Sequence, residues 1–310
     1  MRKKVSIIGA GRVGSTACQL LAYRDVCDIV IWNRTEGTAK GIALDLIESA
    51  PLEGFDTNIT GTSNFDDING SEIVVITAGM PRKEGMSRDD LLNTNAEIVK
   101  GICLQVKNQA PESKVIVLTN PLDEMVHLAK RITGFPRERV VGMAGILDSA
   151  RFRAFIAKEL GVSVESVSAM VLGGHGDFMV PLPANSTVNG TPITELMPKE
   201  KIDQLMQRTR DGGAEIIKLE KESSAFYAPA SSLLRMITAV LEDKKEVLPC
   251  SAFLNGEYNI SGIFMGVPVV LGSNGMERII ELKLSDEEAA ALKTSADKVR
   301  ELTSHIDAML

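Results

Sequence analysis

Histidine is scarce in this chain of 310 residues, with one each at positions 127, 175 and 305. Cysteine is scarce too: Cys18, Cys27, Cys103 and Cys250, none in a C-x-x-C pair. That spacing excludes a zinc-ribbon or redox-dithiol reading and leaves reduced core thiols, which suit a cytoplasmic compartment. No metal site is expected. No apolar run approaches the roughly 20 residues of a membrane span. Met1-Arg2-Lys3-Lys4 is basic, but the apolar stretch that follows ends at Gly9 and is too short for a signal peptide. An excess of basic residues is also missing. The 34 Lys and Arg face 41 Asp and Glu, a net charge of −7, which argues against nucleic acid as a partner. Repeats and low-complexity linkers are absent. In such a chain an anionic ligand must be met by locally gathered arginines.

What is present is an alternation of short β-branched runs and longer helical patterns. Strands are expected at 5–8, 28–32, 73–77, 114–118 and 140–143. Helices are expected at 11–23, 38–48 and 91–109. Strands that are apolar throughout, with helices between them, indicate a parallel sheet covered on both faces. The fold class expected is therefore α/β, a doubly wound parallel sheet of Rossmann type. The second half reads as α+β. Helices are expected at 149–160, 199–208, 213–220 and 229–241, and strands at 166–172, 247–254 and 266–271. A last helix starts at the capping box Ser285-Asp286-Glu287-Glu288. The domain division expected is 1–143 for dinucleotide binding and 144–310 for substrate.

Gly9-Ala10-Gly11-Arg12-Val13-Gly14 joins the first strand to the first helix. In that context the three glycines serve, in turn, a tight bend, close approach to a pyrophosphate, and close packing of helix on strand. The helix N-terminus then offers free N–H groups to the phosphates. An acidic residue is expected about 20 positions further on to bond the ribose 2′-OH. Asn33 stands there instead, followed by Arg34. Asn removes the repulsion towards a 2′-phosphate and Arg34 adds a charged donor. The pair tilts the cofactor towards NADP, and NAD stays open.

Four further segments carry chemistry. A glycine-punctuated loop after the strand at 73–77 brings Arg82 and Arg88 to the ligand-binding end of the sheet. Gly79 and Gly85 suit the hinges of a lid. Leu118-Thr119-Asn120-Pro121 ends the next strand and aims Asn120 at the same crevice. Asp148 and Arg151 share one helix face amid apolar neighbours, so Arg151 needs a carboxylate that a substrate can supply. His175 lies between glycines in Gly173-Gly174-His175-Gly176-Asp177, suited to proton transfer near neutral pH. Asp148 is the expected partner of its ring, with Asp177 as runner-up. His127 and His305 read as structural.

These segments, in this order and spacing, resemble the lactate/malate dehydrogenase superfamily over essentially the full chain. The likeness is greatest to its malate dehydrogenases of lactate-dehydrogenase-like type. The resemblance implies that His175 exchanges the proton at the substrate oxygen and that Asp148 orients it. It implies that Arg151 grips the C1 carboxylate and that Arg88 polarises the carbonyl. Arg82 would pair the second carboxylate of malate or oxaloacetate, where lactate enzymes usually carry Gln. Asn120 would touch substrate and nicotinamide, and Asn95 would lie near the cofactor. The implied assembly is a homo-oligomer, tetramer or dimer. Asn33 departs from the Asp usual in NAD-specific members. The alternatives are a lactate or other 2-hydroxy acid dehydrogenase and, further off, an NAD-using glycoside hydrolase or a non-catalytic dinucleotide sensor.

Overall fold

The computed structural model describes residues 2–81, 88–221 and 224–310, with the backbone alone of Arg88. The amino-terminal half runs β1 (Lys4–Ile8), α1 (Arg12–Arg24), β2 (Asp28–Trp32), α2 (Glu36–Glu53), β3 (Ile59–Thr62), β4 (Ile73–Ile76), α3 (Arg88–Gln109), β5 (Lys114–Val117), α4 (Leu122–Thr133) and β6 (Val140–Gly142). Its strands lie in the order β3-β2-β1-β4-β5-β6, all parallel. Because side chains alternate across a strand, each strand feeds two cores. Val5, Ile7, Ile29, Ile31, Ile73 and Val75 enter one, together with Leu21 of α1 and Ala39 of α2. Ile8, Val30, Val74, Ile76, Val115 and Val117 enter the other, with Val99 of α3 and Met125 of α4. This is the expected doubly wound fold. Its strand order reverses at β1, which opens a crevice above the carboxyl ends of β1 and β4.

The second half runs α5 (Gly145–Leu160), β7 (Val167–Ser168), β8 (Val171–Gly173), β9 (Met179–Pro181), β10 (Thr187–Val188), β11 (Thr191–Pro192), α6 (Ile193–Leu196), α7 (Lys199–Glu220), α8 (Tyr227–Leu241), β12 (Glu246–Asn255), β13 (Ser261–Gly272), β14 (Gly275–Ile279) and α9 (Asp286–Met309). Its main strands extend the first sheet in the order β6-β12-β13-β8-β9, now antiparallel, and β14 pairs with β13. The joint is the pairing of Ser251 on β12 with Gly142 on β6. A Cβ at Gly142 would stand 2.6 Å from Val126 Cγ2 and 2.9 Å from Ser251 Cβ, so only glycine lets the two halves close. α9 begins at the expected capping box, with Ser285 and Glu288 bonded reciprocally. No helix among the described residues is long and apolar enough to cross a membrane.

β9, β10, β11, β14 and α6 are additional to the sequence expectation, the strand expected at 166–172 is divided into β7 and β8, and three further differences turn on glycine at a close contact. β3 has the weak strand sequence Ile-Thr-Gly-Thr and lies outside the expected strands. Its Gly61 is required because a Cβ there would lie 2.2 Å from Ala39 O of α2. The helices expected at 199–208 and 213–220 are one helix, α7, running through Gly212-Gly213. α5 starts at Gly145 rather than at 149, and a Cβ at Gly145 would meet Val171 O at 2.8 Å, so glycine there permits its close approach to β8. Glycine in each case marks close approach and not a break.

Candidate active site

Gly9 holds φ +119°, and its N–H bonds Trp32 O at 2.9 Å. The Thr77 hydroxyl donates to Gly9 O at 2.9 Å and ties the turn to β4. A Cβ at Gly14 would lie 1.9 Å from Gly9 O, so the third glycine is what lets α1 pack on the turn. A Cβ at Gly11 would meet nothing within 4 Å. That open side, at a helix N-terminus with no side-chain cap and no acidic residue in its first turn, fits a dinucleotide pyrophosphate. Ala10, Arg12 and Val13 complete the turn, and Val13 also lines the cleft beside His175. At the end of β2, Asn33 is half-buried and Arg34 exposed, and Asn33 N–H bonds Thr62 O at 3.0 Å.

The His–Asp pair comes from two neighbouring segments at the start of the second half, 27 residues apart. His175 sits in the turn between β8 and β9, and its Nδ1 lies 2.9 Å from Asp148 Oδ2. Asp148, in the first turn of α5, is 1% exposed. The side chain of His175 keeps 16% exposure, which leaves Nε2 for the cleft. Burial alone would depress the imidazolium. The Asp148 charge and hydrogen bond, with the Asp123 charge behind them, outweigh burial and raise the His175 pKa above its ordinary value. Of the two aspartates weighed as ring partners, Asp148 makes the bond. Asp177, exposed, lines the cleft.

Arg151 stands one helical turn from Asp148, its Nη1 3.4 Å from Asp148 Oδ1. At 14% side-chain exposure its pKa is lowered by burial, and Asp148 pulls it back. One long bond leaves a guanidinium with donors to spare, the state expected of a carboxylate receptor. The glycines of α7 now find their reason. A Cβ at Gly212 would lie 3.1 Å from Arg151 Cδ and 3.4 Å from its Nε. The cleft holds about 470 Å³ and is lined by Asn120, Leu147, Arg151, His175, Arg210 and Ile217 among others. That is room for a small acid beside a nicotinamide ring.

The loop after β5 and the start of α3 add to the wall. The peptide between Asn120 and Pro121 is cis. Asn120 is exposed and lines the cleft with Leu118, while Thr119 is buried and donates to Ala78 O at 2.8 Å. The carboxamide of Asn95 is engaged within the protein. It accepts Met80 N–H at 2.7 Å and donates to Met80 O and Asn120 O at 3.1 and 2.6 Å. Asn95 therefore ties the two cofactor-side loops together. Arg82 and the side chain of Arg88 lie outside the described residues. His127 Nε2 pairs with Asp307 at 3.0 Å away from the cleft, and His305 is exposed on α9. Sequence reasoning does not single out Asp123, Ser251 or Ser295. All three are buried and bond the His175 turn or one another. The sequence sign available is an acidic residue just after Pro121 at an apolar-flanked helix start.

Residues 3–142 match the family model of the lactate/malate dehydrogenase NAD binding domain, and residues 146–309 match that of the lactate/malate dehydrogenase alpha/beta C-terminal domain. The chain belongs to the lactate/malate dehydrogenase family. It is 54% identical over 302 residues to a malate dehydrogenase of Thermomicrobium roseum, covering 97% of each chain. It is 50% identical over 309 residues to one of Roseiflexus sp., covering 100% of each. Among solved structures, a malate dehydrogenase of Cryptosporidium parvum superposes with TM-score 0.97 at 43% identity, covering 99% of this chain and 100% of that one. A lactate dehydrogenase of the same organism, complexed with lactic acid and β-nicotinamide adenine dinucleotide, superposes with TM-score 0.96 at 39% identity, covering 99% and 98%. The dehydrogenase thus carries the expected fold, and its glycine turn and His175–Asp148 pair share one crevice.

Proposed function

We propose that the protein is a malate dehydrogenase that interconverts malate and oxaloacetate with a nicotinamide dinucleotide. The observation that carries this reading is His175, bonded to Asp148 at 2.9 Å, in one cleft with the half-buried Arg151. When bound, the cofactor supplies the hydride-carrying nicotinamide ring. Arg151 grips the C1 carboxylate in a fork, since its neighbour Asp148 occupies only Nη1. Asp148 sets the His175 tautomer, so that Nε2 meets the substrate oxygen and gives or takes the proton there. Arg88 polarises the carbonyl, and Arg82 pairs the second carboxylate. Asn120 borders substrate and nicotinamide. The two family models meet between residues 142 and 146, which supports a division into 1–143 and 144–310.

A lactate-type reading has one observation in its favour, the near-equal superposition on a lactate dehydrogenase. The shared fold does not separate the two substrates. Charge does: pyruvate would leave Arg82 without its carboxylate, at a cost of about 2–5 kcal/mol. At the adenosine end, Asn33 and Arg34 favour NADP, and NAD remains the alternative because Asn also bonds a 2′-OH. Four buried thiols support a cytoplasmic setting. Exposed Leu44, Ile47 and Leu52 along α2 support a homo-oligomer, dimer or tetramer.

Initial rates with oxaloacetate and pyruvate, each with NADH and with NADPH, test the reading. Oxaloacetate is expected to exceed pyruvate in kcat/KM by roughly 10²–10³-fold. Preference for pyruvate would overturn the role of Arg82. NADPH preferred over NADH would assign the 2′-phosphate to Asn33 and Arg34, and the reverse would leave them as a ribose contact.

A further inference from the structure

The turn that carries His175 rests on a second buried carboxylate. Asp123 lies in the first turn of α4 and is 4% exposed. Its Oδ2 accepts the backbone N–H of His175 at 2.8 Å, and its Oδ1 accepts the hydroxyl of Ser251 on β12 at 2.6 Å. The adjacent Gly174 N–H bonds Ser295 Oγ of α9 at 2.9 Å. A Cβ at Gly174 would stand 2.7 Å from Val299 Cγ2 and 3.5 Å from Asp123 Oδ2, so the turn lies directly on α4 and α9. A neutral acceptor would satisfy one backbone N–H. Burying a carboxylate for that bond alone is costly, and its place beneath the imidazole gives the charge a use.

We propose that Asp123 is a positioning residue for proton transfer, fixing the His175 backbone while its charge, with that of Asp148, holds the proton on the imidazole. The inference rests on the reading of His175 as the proton carrier. The charged groups facing the ring are Asp148 and Arg151 from α5 and Asp123 from α4. Arg210 and Asp211 of α7 line the same cleft, as do Glu124 of α4 and the adjacent Asp177. From β12 and α9 the groups that bond this network are the hydroxyls of Ser251 and Ser295, which are uncharged. Of the innermost four groups, two are carboxylates and one is a guanidinium. Their charges balance when His175 is protonated and leave one negative charge in excess when it is not. Burial pushes the Asp123 pKa up and Asp148 adds to that, opposed by the Ser251 and His175 donors and the His175 charge, with a net rise. Both its oxygens nevertheless accept hydrogen bonds, from His175 N–H and the Ser251 hydroxyl, the pattern of an ionised carboxylate. The pair of carboxylates therefore favours the imidazolium, the form that donates to a keto acid, up to a higher pH than Asp148 alone would.

The test compares pH–rate profiles of wild type and Asp123→Asn in both directions, with His175→Asn as a reference. Asn keeps both bonds, accepting His175 N–H at Oδ1 and donating from Nδ2 to Ser251 Oγ, and loses only the charge. The alkaline limb of oxaloacetate reduction and the acid limb of malate oxidation are each expected to move down by about one pH unit. Unmoved limbs, whether kcat is kept or falls at every pH, would overturn the inference. Should Asp123→Asn fail to fold, Ser251→Ala removes a donor that keeps the carboxylate ionised. A smaller shift in the same direction is then expected, and no shift overturns the inference. Normal turnover in His175→Asn would instead refute the proton-carrier reading, whatever Asp123→Asn does.

Discussion

At the scale of single residues, the His175–Asp148 pair proposed for proton transfer is legible because so few side chains compete for the role. With histidine at three positions, the one set among glycines after an apolar strand stands out, and Asp148 is the acid at the start of an apolar-flanked helix. Asp123 is not legible. An acid in a helix's first turn is ordinary support for the helix dipole, and its partner is a backbone N–H, which has no residue type. The His175 pKa lies above its ordinary 6.5. Reduction needs the imidazolium, so its rate is sustained below that pKa and falls as pH rises through it. Oxidation needs the neutral ring and gains rate over the same interval. The midpoint of both limbs is expected above pH 6.5, read from kcat/KM across pH. His175→Asn should cost about 10²–10⁴ in kcat, with the cofactor dissociation constant unchanged by fluorescence titration. A wild-type midpoint below the ordinary value would contradict the dominance of Asp148 over burial.

At the scale of elements, glycine is a reliable sign where it sits between a strand and a helix and a misleading one inside a helix. Gly9, Gly11 and Gly14 announce a turn because apolar strand and helical patterns flank them. Gly212-Gly213 looks like a helix break, since glycine weakens an isolated helix by about 1 kcal/mol. In the folded chain α7 continues, because Arg151 of α5 fills the space above Gly212. Gly212→Ala should push the guanidinium by a few tenths of an ångström. The expected result is a rise in KM for oxaloacetate of roughly tenfold, with cofactor binding unaltered. A variant with wild-type KM would show that Arg151 is not held by α7. β3 escapes sequence reading for the complementary reason: its Gly61 serves the approach of α2 and dilutes the strand pattern.

At the scale of the whole molecule, only the short β11-β10-β7 stands as a sheet of its own, and the second half adds its longer strands to the first sheet. Its strands pair onto β6 through Ser251 and Gly142, which sets the His175 turn and the glycine turn over one crevice. Cys18, Cys27, Cys103 and Cys250 are all buried and free, as expected, and burial pushes Cys27 and Cys103 up to about 12. One face of α2 stays uncovered, with Leu44 57%, Ile47 46% and Leu52 86% exposed at helical spacing. Such a stripe is costly in water and suits a symmetric contact with a second copy. Light scattering is expected to give a dimer or tetramer of the 33.4 kDa chain. Leu44→Glu with Ile47→Glu should shift it towards monomer, and a wild-type monomer would remove this reading of α2.

The sequence by itself determined the doubly wound half, the dinucleotide turn and His175 with Asp148 as its favoured partner over Asp177. Each depends on residue types at fixed short spacing, and local order is enough to display them. Only the tertiary structure decided that the two halves share one sheet, that α7 yields space to Arg151, and that Asp123 lies under His175. Those relations join residues 52 or more positions apart in the chain for the Asp123 contacts. They run through backbone groups and close approach, which the order of side chains does not encode.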